Sequence, residues 1–315
     1  MIQTQINNQY EVGLQRQILK VFHASNLRLH DNYFGNKVYT NYQRVSLIVL
    51  FMRSKKALRK FVDELFESKW PCWLGLREIP CYRTIHSWLV KWNVSWLRNI
   101  INKTTAEEKP VLMAIDATGF DSFQRSRHYE QRLKYFGVKD YKMPFAKADL
   151  LVDTDTKLVY DFVLRTKPRH DTLGATTIFK RFKHSNVLIL ADKGYDSEPL
   201  HELVAESGNL MYAPVRDFKV KKPKGIHRRR CSKGHKQYFK RNIIESINFS
   251  LKSRFRSLRS KQAHMKKREF AWQIITYNLE KLSQSIKALL KLLTKATIMN
   301  NAENETTLEP HLVFL

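Results

Sequence analysis

The chain has few cysteines, few acidic residues and no long apolar run. Its three cysteines, Cys72, Cys81 and Cys231, form no C-x-x-C pair, which argues against a zinc site or a disulfide framework and indicates a reducing compartment. The longest apolar run, residues 47–52, is far too short to cross a bilayer, and the polar residues 1–10 do not look like a signal peptide. These absences predict a cytoplasmic protein with no membrane association.

The shortage of acidic residues leaves a large positive charge. The 56 Lys and Arg residues face 29 Asp and Glu residues, so the net charge is +27. Charge of one sign repels itself unless a polyanion binds and releases its counterions. Nucleic acid is the favoured partner, which predicts association with the nucleoid, while ribosomes, a membrane surface and plain solubility are the alternatives. With 43% hydrophobic residues among 315, the chain is predicted to fold into one large or two modest domains.

Residues 1–108 are predicted to form a basic helical region. Apolar residues recur close to a 3.6-residue period between residues 45 and 66, and a turn then leads into a helix that presents Arg83 and Lys91. Two helices, a turn and a third helix suit a helix-turn-helix, so the region is predicted to bind DNA through these two residues. The alternative is a helical subdomain that only packs on the rest of the chain.

Residues 109–293 are predicted to form an α/β domain, followed by a flexible tail at residues 294–315. Short apolar runs predict strands, and amphipathic segments between them predict helices. The predicted strands are residues 111–117, 146–152, 158–164, 186–191 and 210–215, and the predicted helices are residues 171–183, 196–207 and 242–293. This order favours a mixed sheet flanked by helices.

Residues 216–241 are predicted to be a basic loop inside this domain. The segment is rich in Lys and Arg, and Asp217 is its single acidic residue. Such a composition opposes a packed core and suits a loop laid along DNA phosphates, with Arg228, Arg229 and Arg230 as contacts. A solvated linker is the alternative.

Two carboxylates are predicted to lie at strand ends. Asp116 lies at the exit of the first predicted strand, and Asp192 directly follows the fourth. If these strands are parallel neighbours, both side chains meet at the carboxyl edge of the sheet, where sites of α/β proteins form. Paired carboxylates repel each other unless a divalent cation neutralises them, and Mg²⁺ accepts carboxylates together with phosphate oxygens.

A third candidate carboxylate belongs to a set of four polar residues on one predicted helix. On a helix these side chains fall within an arc of about 60°, and an apolar stripe lies about 90° around it. An acid flanked by two bases and a phenol suits a metal ligand beside DNA phosphates, whereas an exposed face with an ion pair is the alternative. The polar residues are Tyr238, Arg241, Glu245 and Lys252, and the stripe is Ile244, Ile247, Leu251, Phe255 and Leu258.

Over residues 110–290, these features resemble the DDE transposases of bacterial and archaeal insertion sequences, in particular the group defined by that Tyr-Arg-Glu-Lys spacing. The resemblance implies a ribonuclease-H-like fold. It implies that Asp116, Asp192 and Glu245 are catalytic and ligate two Mg²⁺ ions, for which Mn²⁺ can substitute. It also implies that Tyr238, Arg241 and Lys252 contact transposon-end DNA. The short span between Asp192 and Glu245 departs from members that carry a β-rich insertion there and use it to hold a DNA hairpin.

The activity implied by the resemblance is transposition. A homodimer would bind the terminal inverted repeats, hydrolyse the DNA at the ends and join the freed 3′-hydroxyls to target DNA. Two alternatives are open at this point. One is a ribonuclease-H-like nuclease that cuts without joining, and the other is a catalytically inactive DNA-binding derivative of a transposase.

Overall fold

A computed structural model describes residues 2–31, 37–120, 135, 137, 146–216 and 223–306 of the chain. The N-terminal part of these residues is helical, as predicted. Its second helix has a clear start signal, since the Thr40 hydroxyl accepts the Gln43 N–H (3.1 Å) and the Gln43 side chain accepts the Thr40 N–H (2.8 Å). The helices are α1 (Ile2–Ala24), α2 (Asn41–Ser54), α3 (Leu58–Glu67), α4 (Trp70–Trp73), α5 (Tyr82–Lys91) and α6 (Val94–Thr104).

The five predicted strands form one mixed sheet with the order β3-β2-β1-β4-β5. The strands are β1 (Leu112–Gly119), β2 (Lys147–Asp153), β3 (Val159–Arg165), β4 (Leu188–Ala191) and β5 (Leu210–Tyr212). β1 and β3 run antiparallel to β2, whereas β4 runs parallel to both β1 and β5.

Five further helices flank the sheet, which confirms the expected mixed α/β architecture. They are α7 (Asp171–Phe179), α8 (Glu198–Glu206), α9 (Ile226–Cys231), α10 (Ile243–Arg254) and α11 (Ala263–Thr306). None of the helices in the described ranges is long and apolar enough to cross a membrane.

Three segments differ from the sequence prediction. The helix predicted over residues 242–293 is two helices, because α10 ends at Arg254 and α11 begins at Ala263. The segment predicted as a basic loop contains the helix α9, although its residues 217–222 lie outside the described part. The last helix continues to Thr306, well past residue 293, because no glycine or proline interrupts it. Of the predicted tail, residues 307–315 lie outside the described ranges.

The two faces of the sheet bury different sets of side chains, as the alternation of residues along a strand requires. On one face, Met113 and Ile115 of β1 pack with residues of α7 and α8. On the other, Leu150 and Phe162 share one continuous core with α1, α2, α5, α6, α10 and α11, including Trp272. The boundary predicted at residue 108 therefore falls inside a common core, and the N-terminal helices cover one face of the sheet.

A buried asparagine joins three elements of this core. Asn278 of α11 is fully buried, and its side-chain amide accepts the Val159 N–H (3.0 Å) and donates to the Val159 carbonyl (2.8 Å). The same amide donates to the Thr104 hydroxyl of α6 (2.8 Å). Since β3 is an edge strand, Asn278 supplies the partner that a further strand would have provided.

Candidate active site

Asp116 and Asp192 lie side by side on two parallel strands. Ile115 of β1 pairs with Ala191, the last residue of β4, and the residue that follows each of them is an aspartate. Neighbouring strands are about 4.8 Å apart, which brings the two side chains to one edge of the sheet. β1 continues beyond its predicted end at residue 117 to Gly119 along β2, whereas its pairing with β4 ends at Ile115.

The pKa of Asp116 is influenced by the charges of the other two predicted carboxylates. Burial is the main reason why the pKa of Asp116 lies above its ordinary value. The negative charges of Asp192 and Glu245 raise this pKa further, and the guanidinium of Arg241 lowers it. The three acids therefore form one electrostatically coupled group, in which a cation would be stabilised.

Glu245 reaches this edge because α10 packs against β1. The apolar stripe predicted from the spacing is buried, with Ile244, Ile247 and Leu251 each at most 1% exposed. The opposite side of the helix carries Glu245 in its first turn. One turn further on, the Asn248 amide donates to Oδ2 of Asp116 at 3.4 Å, which ties the helix to the strand.

Glu245 is not packed against the aspartates but paired with a base. Its Oε1 accepts a hydrogen bond from Nη2 of Arg241 at 3.1 Å, and its side chain is 63% exposed. Within the described ranges no three His, Cys, Asp or Glu side chains are grouped closely enough to hold a metal ion. The two aspartates are thus brought together by the sheet, and Glu245 stands beside them with Arg241 as its partner.

Tyr238 and Arg241 precede the helix instead of lying on it. The prediction placed all four polar residues on one helical face, but Tyr238–Asn242 forms a 3-10 turn and α10 begins at Ile243. The Tyr238 ring packs edge-on against Tyr212 of β5 with centroids 5.2 Å apart, and Cζ of Arg241 lies 5.9 Å from the Tyr238 ring centre. Burial raises the pKa of Tyr238 above its ordinary value. The tyrosine therefore anchors the turn on the sheet.

Lys252 lies further along α10, beside the last residues of β1. Its Nζ donates to the Thr118 hydroxyl at 2.7 Å and lies 5.6 Å from the centre of the Phe120 ring. The ammonium group is exposed and has no carboxylate partner among its described contacts, so it can take up a phosphate oxygen.

The donor set of this edge suits a hard divalent cation. Asp116, Asp192 and Glu245 supply only carboxylate oxygens, which Mg²⁺ and Mn²⁺ prefer. Burial is the main cause of the raised pKa of Asp116 and the negative charges of Asp192 and Glu245 add to it, so a bound divalent cation would stabilise the ionised form. For Glu245 to join, its side chain has to leave Arg241, and its exposure leaves room for that rotation.

The three consecutive arginines of α9 have different environments. Arg229 and Arg230 are exposed, as a DNA contact requires. The Arg228 side chain is only 18% exposed and forms a two-pronged ion pair with Asp196. The geometry therefore offers no support for Arg228 as a DNA contact.

The two predicted contacts of the N-terminal region lie on α5. Arg83 is exposed and stacks near the Tyr82 ring, with its Cζ 5.9 Å from the ring centre. Lys91 is also exposed but forms an ion pair with Asp31 at 3.0 Å. Neither has a described contact with the acidic edge of the sheet.

A buried polar network behind the acidic edge was missed by the sequence analysis. Asp149 of β2 is fully buried and pairs with Arg165 of β3, with Nε–Oδ2 and Nη2–Oδ1 distances of 2.8 Å. Arg165 also donates to Asp171 (2.7 Å), which accepts from Lys147 (2.7 Å). The Tyr195 hydroxyl, three residues after Asp192, approaches Asp149 at 3.4 Å.

Burial dominates the electrostatics of this network. It raises the pKa of Asp149 to about 6, although Arg165 lowers it. No local pattern in the sequence signals these residues, because the partners come from β2, β3 and α7. Asn248 could have been found, since it lies three residues after Glu245 and thus close to it on the helix.

Comparison with known proteins places this site in a described family. A family model described as "Transposase DDE domain" matches residues 107–279, a range that contains all three carboxylates. No curated protein matches the chain. Among solved structures, the chain is similar to the piggyBac transposase in its synaptic complex with hairpin DNA. The identity is 11% and the TM-score 0.48, over 89% of this chain and 76% of that one.

Proposed function

The chain belongs to the Transposase DDE domain family, and from this premise we propose that it cleaves transposon-end DNA by metal-dependent hydrolysis and joins the 3′-hydroxyl ends to target DNA. We assign it to the insertion-sequence transposases with the Tyr-Arg-Glu-Lys spacing. The observation that carries the proposal is the adjacency of Asp116 and Asp192 on parallel strands, with Glu245 beside them. In the proposed reaction, hydrolysis frees a strand end from its flank, and that end is the next nucleophile.

We propose that Asp116, Asp192 and Glu245 are catalytic and hold Mg²⁺, two ions in the active complex, with Mn²⁺ able to substitute. When bound, the ions supply activation of the attacking hydroxyl and stabilisation of the leaving oxygen. The support from this chain is its set of carboxylate oxygens and the raised pKa of Asp116, which the neighbouring negative charges increase.

The basic residues around the acids would then bind and orient the DNA. When Glu245 turns toward the aspartates, Arg241 loses its partner and becomes available for a phosphate. Lys252 would exchange the Thr118 hydroxyl for a phosphate oxygen. Tyr238, which supports Arg241 through its ring, would border the same strand of DNA.

Double-stranded DNA, as terminal inverted repeats and as target, is the proposed partner. The net charge of +27 supports it. The proposed outer contacts are the exposed Arg229 and Arg230 of α9 and the exposed Arg83 and Lys91 of α5. A transposon has two ends, and each chain offers one set of three carboxylates. Two copies of the chain, one acting on each of the paired ends, are therefore the simplest assembly. Such a protein would act on the nucleoid.

Cleavage and joining of DNA test the proposal. A supercoiled plasmid that carries both flanks of the gene is incubated with the protein and Mg²⁺, using the wild type, Glu245→Gln and Glu202→Gln. Glu202 is a matched control because it is a solvent-accessible glutamate on α8 and has no described contact with the three carboxylates. We expect the wild type and Glu202→Gln to give joined products, and Glu245→Gln to bind the plasmid without cutting it.

Each other outcome favours a different function. Nicks without joined products would indicate a nuclease, and binding without any cleavage by the wild type would indicate an inactive DNA-binding derivative. Cleavage by Glu245→Gln at the wild-type rate would contradict the assignment of the third carboxylate.

A further inference from the structure

The turn that carries Asp192 is held by two arginines from later in the chain. Within the turn, the Tyr195 N–H donates to the Asp192 carbonyl (2.9 Å) and the Asp196 N–H to the Lys193 carbonyl (3.2 Å). The Arg216 guanidinium donates to the carbonyls of Lys193 (Nε, 2.6 Å) and Gly194. Two carbonyls next to Asp192 are therefore fixed by one planar cation.

The second arginine acts on the end of the same turn. Nε and Nη2 of Arg228 each donate to a different oxygen of Asp196 at 2.6 Å. The backbone N–H of Arg216 donates to Oδ2 of Asp196 at 2.9 Å. The Asp196 side chain is 0% exposed, so this carboxylate has no water to replace a lost partner. The planar guanidinium offers two parallel N–H groups that match the two carboxylate oxygens, a geometry that the ammonium group of a lysine lacks.

The position of Arg228 is itself fixed by an acid that follows the turn. Glu198, at the start of α8, accepts the backbone N–H groups of His227 (2.9 Å) and Arg228 (3.0 Å). The preceding Gly225 has φ +99°, and a Cβ built there would lie 2.2 Å from the Glu198 carboxylate. A glycine at position 225 therefore allows the chain to pass this close to Glu198, and this contact fixes the start of α9 against the start of α8.

The geometry points to Arg228 as a positioning residue that holds Asp192 in place through Asp196, while its neighbours Arg229 and Arg230 face outward. This inference rests on the proposed function, because it assumes that Asp192 is a metal ligand. It separates three consecutive arginines, which composition alone treats as equal, into one structural cation and two exposed ones.

The test compares the same substitution at two adjacent positions, Arg228→Lys and Arg229→Lys, so that the charge is unchanged in both. Three quantities are measured: nicking of a supercoiled plasmid against Mg²⁺ concentration, affinity for a short fluorescent duplex, and metal-free amide hydrogen exchange of residues 193–196.

For Arg228→Lys we expect a nicking rate or an apparent Mg²⁺ affinity about 10- to 100-fold lower, the range that partners of metal ligands show. Its duplex affinity should stay within about twofold of the wild type, because affinity for DNA follows the number of phosphates neutralised and the charge is unchanged. Exchange in the turn should be faster, whereas Arg229→Lys should match the wild type in exchange, because Arg229 has no described contact with the turn.

A second variant, Asp196→Asn, keeps the side-chain shape and should show the same faster exchange even if Arg228→Lys does not fold. The inference is overturned if neither variant loosens the turn, or if Arg228→Lys weakens duplex binding while nicking and exchange stay unchanged. Hydrogen exchange needs neither metal nor DNA. If the wild-type protein fails to nick DNA, the proposed function fails, but the exchange comparison still decides whether Arg228 holds the turn.

Discussion

Replacing the buried Asn278 by alanine should destabilise the whole fold. The substitution removes three hydrogen bonds and leaves the N–H and the carbonyl of Val159 without partners at the buried edge of β3. A buried backbone group without a partner costs about 1–3 kcal/mol, so two of them predict a loss of roughly 3–5 kcal/mol in the free energy of unfolding. Water cannot easily replace the amide, because Asn278 and Val159 are both fully buried.

Chemical denaturation followed by circular dichroism measures this loss. The matched control is Gln273→Ala on the same helix, since Gln273 is also a buried amide but makes one hydrogen bond, to the Arg256 carbonyl at 2.9 Å. We expect the control to lose about 1–2 kcal/mol, in line with a single bond. If both variants lost the same free energy within error, the account of Asn278 as the partner of the sheet edge would be refuted.

Three further predictions concern the acidic edge and the network behind it. Gly174→Ala should lower the free energy of unfolding by about 1–3 kcal/mol, the usual cost of overpacking. The reason is that the added Cβ would lie 2.1 Å from Oδ2 of Asp149. Denaturant titration measures this loss, and an unchanged midpoint would contradict the prediction. Since the folded-state pKa of Asp149 is raised from 3.8 to about 6, its protonated form stabilises the fold below pH 3.8, and that stability is lost as the pH rises through 6. Relative to Asp149→Asn, the wild type should therefore lose about 1.4 kcal/mol per pH unit between about pH 4 and 6 and nothing further above, and parallel stability curves would speak against the raised pKa. Lys252→Ala should reduce the salt dependence of duplex binding by about one phosphate contact, and an unaltered slope would mean that Lys252 does not reach the DNA.

Several features of this protein followed from local sequence patterns. The five strands were predicted from short apolar runs, and all five occur in the sheet. The apolar stripe of α10 was predicted from residue spacing, and Ile244, Ile247 and Leu251 are buried as expected. Buried apolar residues recur every two residues along a half-buried strand and about every 3.6 residues along a helix, so a short window of sequence is enough to detect them.

Other features depended on partners that are distant in sequence. The start of α10 after a 3-10 turn follows from the packing of Tyr238 on Tyr212 of β5. The inward position of Arg228 follows from Asp196, which precedes it by many residues. The fully buried Asp149 follows from Arg165 on the neighbouring strand. A count of charges cannot separate such ion pairs from exposed cations.

The sequence by itself therefore determined the strands, the two strand-borne aspartates and the amphipathic helix of Glu245, because hydrophobic periodicity is a local property. Only the tertiary structure decided that the N-terminal helices share one core with the sheet. It also decided which of three consecutive arginines faces inward. The physical reason is that a charged side chain can be buried only beside an opposite charge that compensates its desolvation. When that opposite charge is distant in sequence, only the fold brings the two together.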